Sequence, residues 1–378
     1  MKKILSLVLA FVFLLPLNIV SVSALSDDEV TAPSAVLIEP ETMKVLYEKN
    51  GHEQRACASV TKVMTLILVM EAIDAGKLNW DQMITASAHA ASMGGSDIWL
   101  EEGEQMSVRD MVKATVVASA NDAAVALAEA VSGTEDEFVR QMNEKAKALG
   151  MENTVFKNCN GLDEEGHLTT AYDVALMSCE LIKHEEIFEF TSIWMDELRD
   201  GKTQIVNTNK LLKSYNGITG LKTGTTSQAG SCISATAERD GLSLVTVVLG
   251  SETGTERFKA AATLLDYGFA NYKKTNLILP EDAPMEIKVK NGMENSVQLK
   301  YEIPKDIITE SAKSQLEAKV ELPEEIEAPV TENQQLGTVS FYSGEEKIAE
   351  YPILSSGSSK EVNFQDIFAF MIKNLFTT

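Results

Sequence analysis

Apolar positions first fall into strand-like runs at SAVLIEP and MKVLYEK, within residues 34 to 49, joined around Pro40 and Glu41. From Ala58 to about Ala75 they recur at helical spacing and stop at Gly76. Ser107-Val-Arg-Asp110 and Thr134-Glu-Asp-Glu137 have the hydroxyl-to-carboxylate spacing of a helix start, where side chains satisfy the first free backbone N–H groups. The stretch from Asp110 to Leu149 is therefore predicted mostly helical, broken near Ser119-Ala-Asn121 and at Gly133. Beyond Lys222 the period returns to that of strands. SCISATA and LSLVTVVLGS flank Asp240-Gly241, a hairpin signal, and Arg257 to Tyr272 closes the region as a helix. Strands, many helices, a hairpin and a helix predict an α+β domain whose N- and C-terminal strands share one antiparallel sheet.

The pattern shifts near residue 275. MEIKVKNG, NSVQLKYEI, AKVELP and GTVSFYSG are short, alternating and separated by turns, which predicts a small β domain over 276–355. Ser355-Ser-Gly-Ser-Ser359 reads as a flexible linker. The last segment, within 356–378, places Phe364, Ile367, Phe368, Met371, Ile372, Leu375 and Phe376 on one helical face, with Phe370 off it. Too short to span a bilayer, it is expected to lie on the outer face of the cytoplasmic membrane. At the other end, Lys2 and Lys3 precede an apolar run to Leu17, and Val22-Ser23-Ala24 offers small residues for cleavage. Residues 1–24 are thus expected to be a signal peptide and 25–275 the main domain of an exported protein.

A length of 378 residues suits two domains, and a net charge of −23 with no basic run excludes nucleic acid as a partner. Cys57, Cys159, Cys179 and Cys232 form no CxxC pair, and free buried thiols are expected. His52, His89, His167 and His184 are scattered, so neither a metal nor another cofactor is expected.

Three short motifs occur in order: Ser59-Val-Thr-Lys62, Ser119-Ala-Asn121 and Lys222-Thr223-Gly224. Residues i and i+3 share a helix face, so Lys62 can reach the Ser59 hydroxyl. A serine is a weak nucleophile until a base takes its proton, and a lysine serves only when neutral. Burial and a nearby cation, with Lys222 the candidate, would lower the pKa of Lys62. Free N–H groups at the helix start by Ser59 and on the strand carrying Lys222-Thr-Gly-Thr225 could hold an oxyanion. Gly224 is expected to let backbone approach the substrate. Alone, each motif is weak; in this order they form the set found in class A β-lactamases and penicillin-binding proteins.

ACASVTKVMT, GSDIWLEEGEQMSVRDM, SANDAAVALAEAV, GLDEEGHLTTAYDVALM, NTNKLL and GLKTGTTSQAGSCISATA resemble the low-molecular-mass penicillin-binding proteins, D-Ala-D-Ala carboxypeptidases of serine peptidase family S11, over residues 34–272. The resemblance implies a β-lactamase/transpeptidase-like domain, an antiparallel sheet with a helical cluster. It implies removal of the terminal D-alanine from peptidoglycan stem peptides ending in D-Ala-D-Ala, and inhibition by β-lactam antibiotics. Carried over by position, Ser59 is the acylated nucleophile, Lys62 the general base, and Ser119 and Asn121 support proton transfer and positioning. Lys222, Thr223, Gly224 and Thr225 contact substrate, the N–H groups of Ser59 and Thr225 form the oxyanion hole, and Arg257 receives the terminal carboxylate. Departures are Asn160, where many relatives carry His, and Cys57, where many carry Pro. If that His activates the deacylating water, slower turnover follows. A secreted β-lactamase would need an E-x-x-L-N run before Lys222, and none occurs. A catalytically dead peptidoglycan-binding protein is disfavoured by the intact motifs. No G-x-S-x-G supports an α/β-hydrolase, and Asp196 replaces the first Gly of a phosphate loop at Gly201-Lys202-Thr203.

Overall fold

The computed structural model describes residues 25–365 apart from Asp27, together with Ile367, Phe368 and Ile372. The expected signal peptide, and Phe370, Met371, Leu375 and Phe376 of the C-terminal face, lie outside the described residues. The chain divides into two units, Leu25–Lys274 and Thr275 onward.

In the first unit β1 (Ser34–Glu39) and β2 (Lys44–Lys49) join β3 (Ile218–Thr226), β4 (Gly230–Arg239) and β5 (Leu242–Ser251). The sheet order is β2-β1-β5-β4-β3, with every neighbouring pair antiparallel, so the two ends of the unit share one sheet as expected. Every residue of β1 is buried because both sheet faces are covered, which removes the polar alternation of a half-exposed strand. On one face, Gly268 of helix Gly254–Asn271 lies against Leu37 and Leu244. On the other, Val36, Ile38, Val245, Val247 and Leu249 join the main core.

That core surrounds α1 (Lys62–Asp74), buried from Lys62 through Met70 and packed by α2 (Asn121–Ser132), α3 (Glu135–Ala148) and α4 (Ala171–Leu181). A helix hydrophobic all round belongs at the centre of a cluster, and α1 occupies that place. The hydroxyl half of each expected cap forms: Ser107 Oγ accepts from Asp110 N at 3.1 Å and Thr134 Oγ1 from Glu137 N at 3.2 Å. The last helix of the unit starts earlier than expected, at Gly254, because Thr253 and Glu256 close a reciprocal capping box.

The second unit is β-rich. Its six-stranded sheet comprises β6 (Glu286–Lys290), β7 (Ser296–Tyr301), β8 (Glu317–Glu321), β9 (Glu325–Glu327), β10 (Gln335–Ser343) and β11 (Glu346–Ser355), in the order β8-β10-β11-β7-β6-β9. Alternation places Ile287, Val289, Val297 and Leu299 in its core with Val339, Phe341 and Ile353. The expected flexible linker is corrected here. Ser355 ends β11 and is buried, Ser359 exchanges two backbone hydrogen bonds with Val330, and Val362 N donates to Asn291 O. Ser359 Oγ also accepts from Glu294 N and donates to Glu294 O, both at 3.1 Å. Backbone pairing and one serine hydroxyl bonded to backbone tie down a segment whose composition would leave it free in water.

Candidate active site

The turn that carries Ser59 is a short 3₁₀ segment, Ala58–Thr61, feeding directly into α1. Ala58 is forced to φ 50°, a left-handed conformation that a residue with a Cβ holds only under tertiary constraint. The constraint is visible on both sides. A Cβ on Gly161 would lie 2.0 Å from Ala58 O, and one on Gly224 would lie 2.7 Å from Ser59 N and 2.8 Å from Cys57 O. Gly224 thus admits the backbone of the Ser59 turn, in space expected from the sequence to serve substrate. Ser59 itself is half-buried, with Val60 and Thr61 fully buried behind it.

Lys62, fully buried, points its Nζ to Ser59 Oγ at 3.0 Å, Asn121 Oδ1 at 2.6 Å and Asn160 O at 2.6 Å. Burial brings its pKa down to about 7, against smaller opposing effects from Cys159, Asp122 and Cys57. Desolvation, and not the Lys222 charge expected from the sequence, is the dominant cause. The influence between the two lysines acts on Lys222, whose pKa falls well below the usual lysine range through burial, then Lys62, then Arg257.

The helical break at the second motif is a π turn, Ala114–Ala118, ended by Ser119 at φ 61°. This left-handed residue turns the chain before α2 and presents Ser119 Oγ to Lys222 Nζ at 2.8 Å. Asn121, the first residue of α2, bridges Lys62 and the carbonyl of Gly94 at 2.6 Å. Asp122, buried beside it, accepts from Ile98 N and Leu100 N, each at 3.0 Å, fastening the loop that walls this side.

Edge strand β3 supplies the third motif. Lys222 pairs with Ser234 and Gly224 with Cys232, so Lys222 and Gly224 share a face. Thr223 alternates away and donates to Thr208 Oγ1 at 2.6 Å, outside this cluster. Thr225 is exposed at the end of the motif. Arg257 Nη1 donates to Gly224 O at 2.8 Å, Thr225 Oγ1 at 2.9 Å and Cys232 O at 3.2 Å, while its buried Nε has no partner. Among the described residues no carboxylate hydrogen-bonds Lys62, Lys222 or Arg257, and burial lowers the pKa of all three.

The structure therefore gathers Ser59, Lys62 and Asn121 into one bonded cluster, and Ser119, Lys222, Thr225 and Arg257 along its strand side. Sequence reasoning missed Gly161, Asp122 and the Asn160 carbonyl. The last carries no residue-type signal, because every residue has a carbonyl. The four cysteines are unpaired and buried. No group of three His, Cys, Asp or Glu side chains among the described residues is arranged to hold a metal.

A serine hydroxyl on a buried, low-pKa lysine, facing donors on an edge strand, has the parts of a serine–lysine acyl-transfer site. Residues 21–253 match the family described as D-alanyl-D-alanine carboxypeptidase, and residues 272–361 match the C-terminal domain of penicillin-binding protein 5. The chain belongs to the D-alanyl-D-alanine carboxypeptidase family, S11. It is 44% identical to D-alanyl-D-alanine carboxypeptidase DacF of Bacillus subtilis (strain 168), over 88% of this chain and 87% of that one. Penicillin-binding protein 5 from Haemophilus influenzae superposes with a TM-score of 0.77 at 30% identity, covering 88% of this chain and 98% of that chain. Penicillin-binding protein D2 from Listeria monocytogenes, solved in an ampicillin-bound form, covers 63% of this chain and 97% of its own, at 36% identity and a TM-score of 0.58. The family acts on peptidoglycan D-Ala-D-Ala peptides and binds β-lactams through a serine acyl-enzyme.

Proposed function

We propose that this chain removes the terminal D-alanine of peptidoglycan stem pentapeptides through an acyl-enzyme on Ser59. The observation that carries the reading is the set of partners around Lys62. A neutral amine has two N–H groups and one lone pair. Asn121 Oδ1 and Asn160 O take the two N–H groups, so the lone pair is left facing the Ser59 hydroxyl. A pKa of about 7 keeps much of the amine neutral at physiological pH.

Lys62 takes the hydroxyl proton as Ser59 Oγ bonds to the carbonyl carbon of the penultimate D-alanine. The N–H groups of Ser59 and Thr225 receive the oxyanion. The C–N bond then breaks, and the proton passes to the departing amine by way of Ser119, which Lys222 holds. Water cleaves the ester and restores Ser59. Asn121 orients the peptide, Thr223 and Gly224 hold the strand that lines it, and Arg257 takes the terminal carboxylate. Support for Arg257 is its burial without an acidic partner, since an unpaired guanidinium favours an anion. A β-lactam follows the first half of this path.

The test is direct. A β-lactam adds one drug mass to the peptide carrying Ser59, a pentapeptide ending in D-Ala-D-Ala releases D-alanine, and Ser59→Ala does neither. Labelling that persists in Ser59→Ala overturns the assignment. Arg257→Ala is expected to weaken the acid substrate about 10- to 100-fold more than its amide; equal losses remove Arg257 from that role.

We also place the protein outside the cytoplasmic membrane, exported by residues 1–24 and resting on the membrane's outer face through the C-terminal segment. Phe364, Ile367, Phe368 and Ile372 are exposed, as a face meant for lipid would be. No helix among the described residues is long and apolar enough to cross a membrane. Deleting residues 363–378 is expected to move the protein to the soluble fraction and leave the rate on a soluble peptide unchanged. Retention on membranes after the deletion contradicts this.

A further inference from the structure

His167 stands outside the three motifs, yet it is buried and bonded to the nucleophile turn. Lys157 N donates to its Nδ1 at 3.2 Å, which leaves Nε2 as the protonated nitrogen. Nε2–H then donates to Thr61 Oγ1 at 2.9 Å, and Thr61 Oγ1 lies 3.3 Å from Cys57 Sγ. Thr61 sits between Ser59 and Lys62 and is fully buried, and Cys57 caps the same turn. One ring therefore touches the turn at the residue that joins nucleophile to base.

The ring is itself rigidly placed. His167 N donates to Glu164 O, Leu168 pairs with Val155, and Thr169 exchanges two backbone hydrogen bonds with Arg55, just upstream of the turn. Phe156 meets the imidazole edge-on at 5.7 Å between centroids. The same loop gives Lys62 its Asn160 carbonyl, and Thr65 Oγ1 holds the neighbouring Cys159 carbonyl at 2.5 Å. Lys62 is thus positioned against a loop whose far end is pinned to Thr61. The charged groups around His167 are Glu164, Asp163 and Lys157; burial, aided by Lys157, outweighs the two carboxylates and brings its pKa down to about 4, so it works as a neutral donor.

We propose that His167 is a positioning residue for acylation: through Thr61 it fixes the Ser59 hydroxyl against the Lys62 lone pair. This rests on the reading of Ser59 as nucleophile and Lys62 as base. A displacement of about 1 Å between reacting groups can cost on the order of 10²-fold in rate, so small freedom in this turn has large kinetic effect.

The experiment separates the acylation rate constant from the affinity of the preceding non-covalent complex, using a chromogenic β-lactam in stopped flow. His167→Phe keeps the ring volume and removes the donor; Thr61→Val keeps the shape and removes the acceptor; His167→Gln keeps an N–H. Both donor- and acceptor-deleting variants are expected to acylate about 10- to 100-fold more slowly with affinity within about twofold. The double variant is expected to lose no more than either single one, and His167→Gln to recover most of the rate. Acylation within twofold of wild type in Thr61→Val and His167→Phe overturns the proposal. So does a loss of affinity that equals the loss of rate, since that reports general disorder of the cleft. Wild-type protein that takes no β-lactam on Ser59 would instead defeat the underlying reading, so the two failures are told apart.

Discussion

The catalytic unit and the C-terminal β unit handle charge in opposite ways. In the first, Lys62, Lys222 and Arg257 are buried and bonded to hydroxyls, amides and carbonyls. In the second, the buried polar residues are Thr and Ser alone among the described residues, and lysines sit in surface pairs such as Lys313 with Glu346 at 3.0 Å and Lys347 with Glu350 at 2.7 Å. Burying a cation without an anion costs stability, and a protein tolerates that cost where a depressed pKa is needed. The contrast separates residues kept for chemistry from residues kept for folding.

The largest expected effect tests that separation at the base. Lys62→Ala should slow acylation by roughly 10²- to 10⁴-fold. In the wild type, acylation should rise with pH up to about 7 and then level, because only the neutral amine accepts the serine proton. A flat profile from pH 5 to 8 would remove Lys62 as base.

Next comes close packing at the site. Gly224→Ala would drive a Cβ into backbone atoms of Cys57 and Ser59, which have no side-chain freedom with which to yield. Overpacking of this kind costs about 1–3 kcal/mol, read as a lowered denaturation midpoint, and acylation should fall with it. In the β unit Gly357 has nothing within 4 Å of where a Cβ would stand, and Gly357→Ala should change neither. Equal tolerance at the two positions would break the comparison.

A smaller effect carries the opposite sign. The folded-state pKa of Lys62 is depressed from 10.5 to about 7, so between these values the unfolded chain binds more protons and stability rises with pH. The penalty is fully present below about pH 7 and disappears as pH passes 10.5. Lys62→Met should therefore raise the melting temperature at pH 6 to 7, by at least about 2 °C, with the gain shrinking toward pH 10. Smallest of all, Lys347→Ala should leave melting and acylation unchanged, because an exposed pair contributes little. A drop comparable to that of Gly224→Ala would show that the β unit also relies on its charges.

Much of this organisation was legible in the sequence. The caps at Ser107 and Thr134, the Asp240-Gly241 hairpin and the shared sheet follow from local spacing and period. Ser59, Lys62 and Lys222 could be singled out because residue type carries their chemistry. Asn160 supplies a backbone carbonyl, Gly161 a missing side chain against Ala58, and His167 a contact to Thr61 across 106 residues. None of these has a local pattern. Ser355 to Ser359 misled for a related reason: composition records what a segment would do in water, and its partners Gln334, Gln298 and Val330 lie elsewhere in the chain.

The strand order has a kinetic consequence. β1 lies inside the sheet, and Ser34 at its start pairs with Leu249 near the end of β5. Made from the N-terminus, the chain presents β1 and β2 early as a hairpin with one edge open, and such a hairpin is marginal in water. Its permanent neighbour emerges only after the whole helical region has been synthesised. Closure across so long a separation is slow, and it leaves the unit without its central pairing until almost every residue is available. A chain halted before Leu242 would therefore carry the complete Ser59–Lys62 turn and both hairpins, β1–β2 and β3–β4, and yet lack the strand that joins them into one sheet.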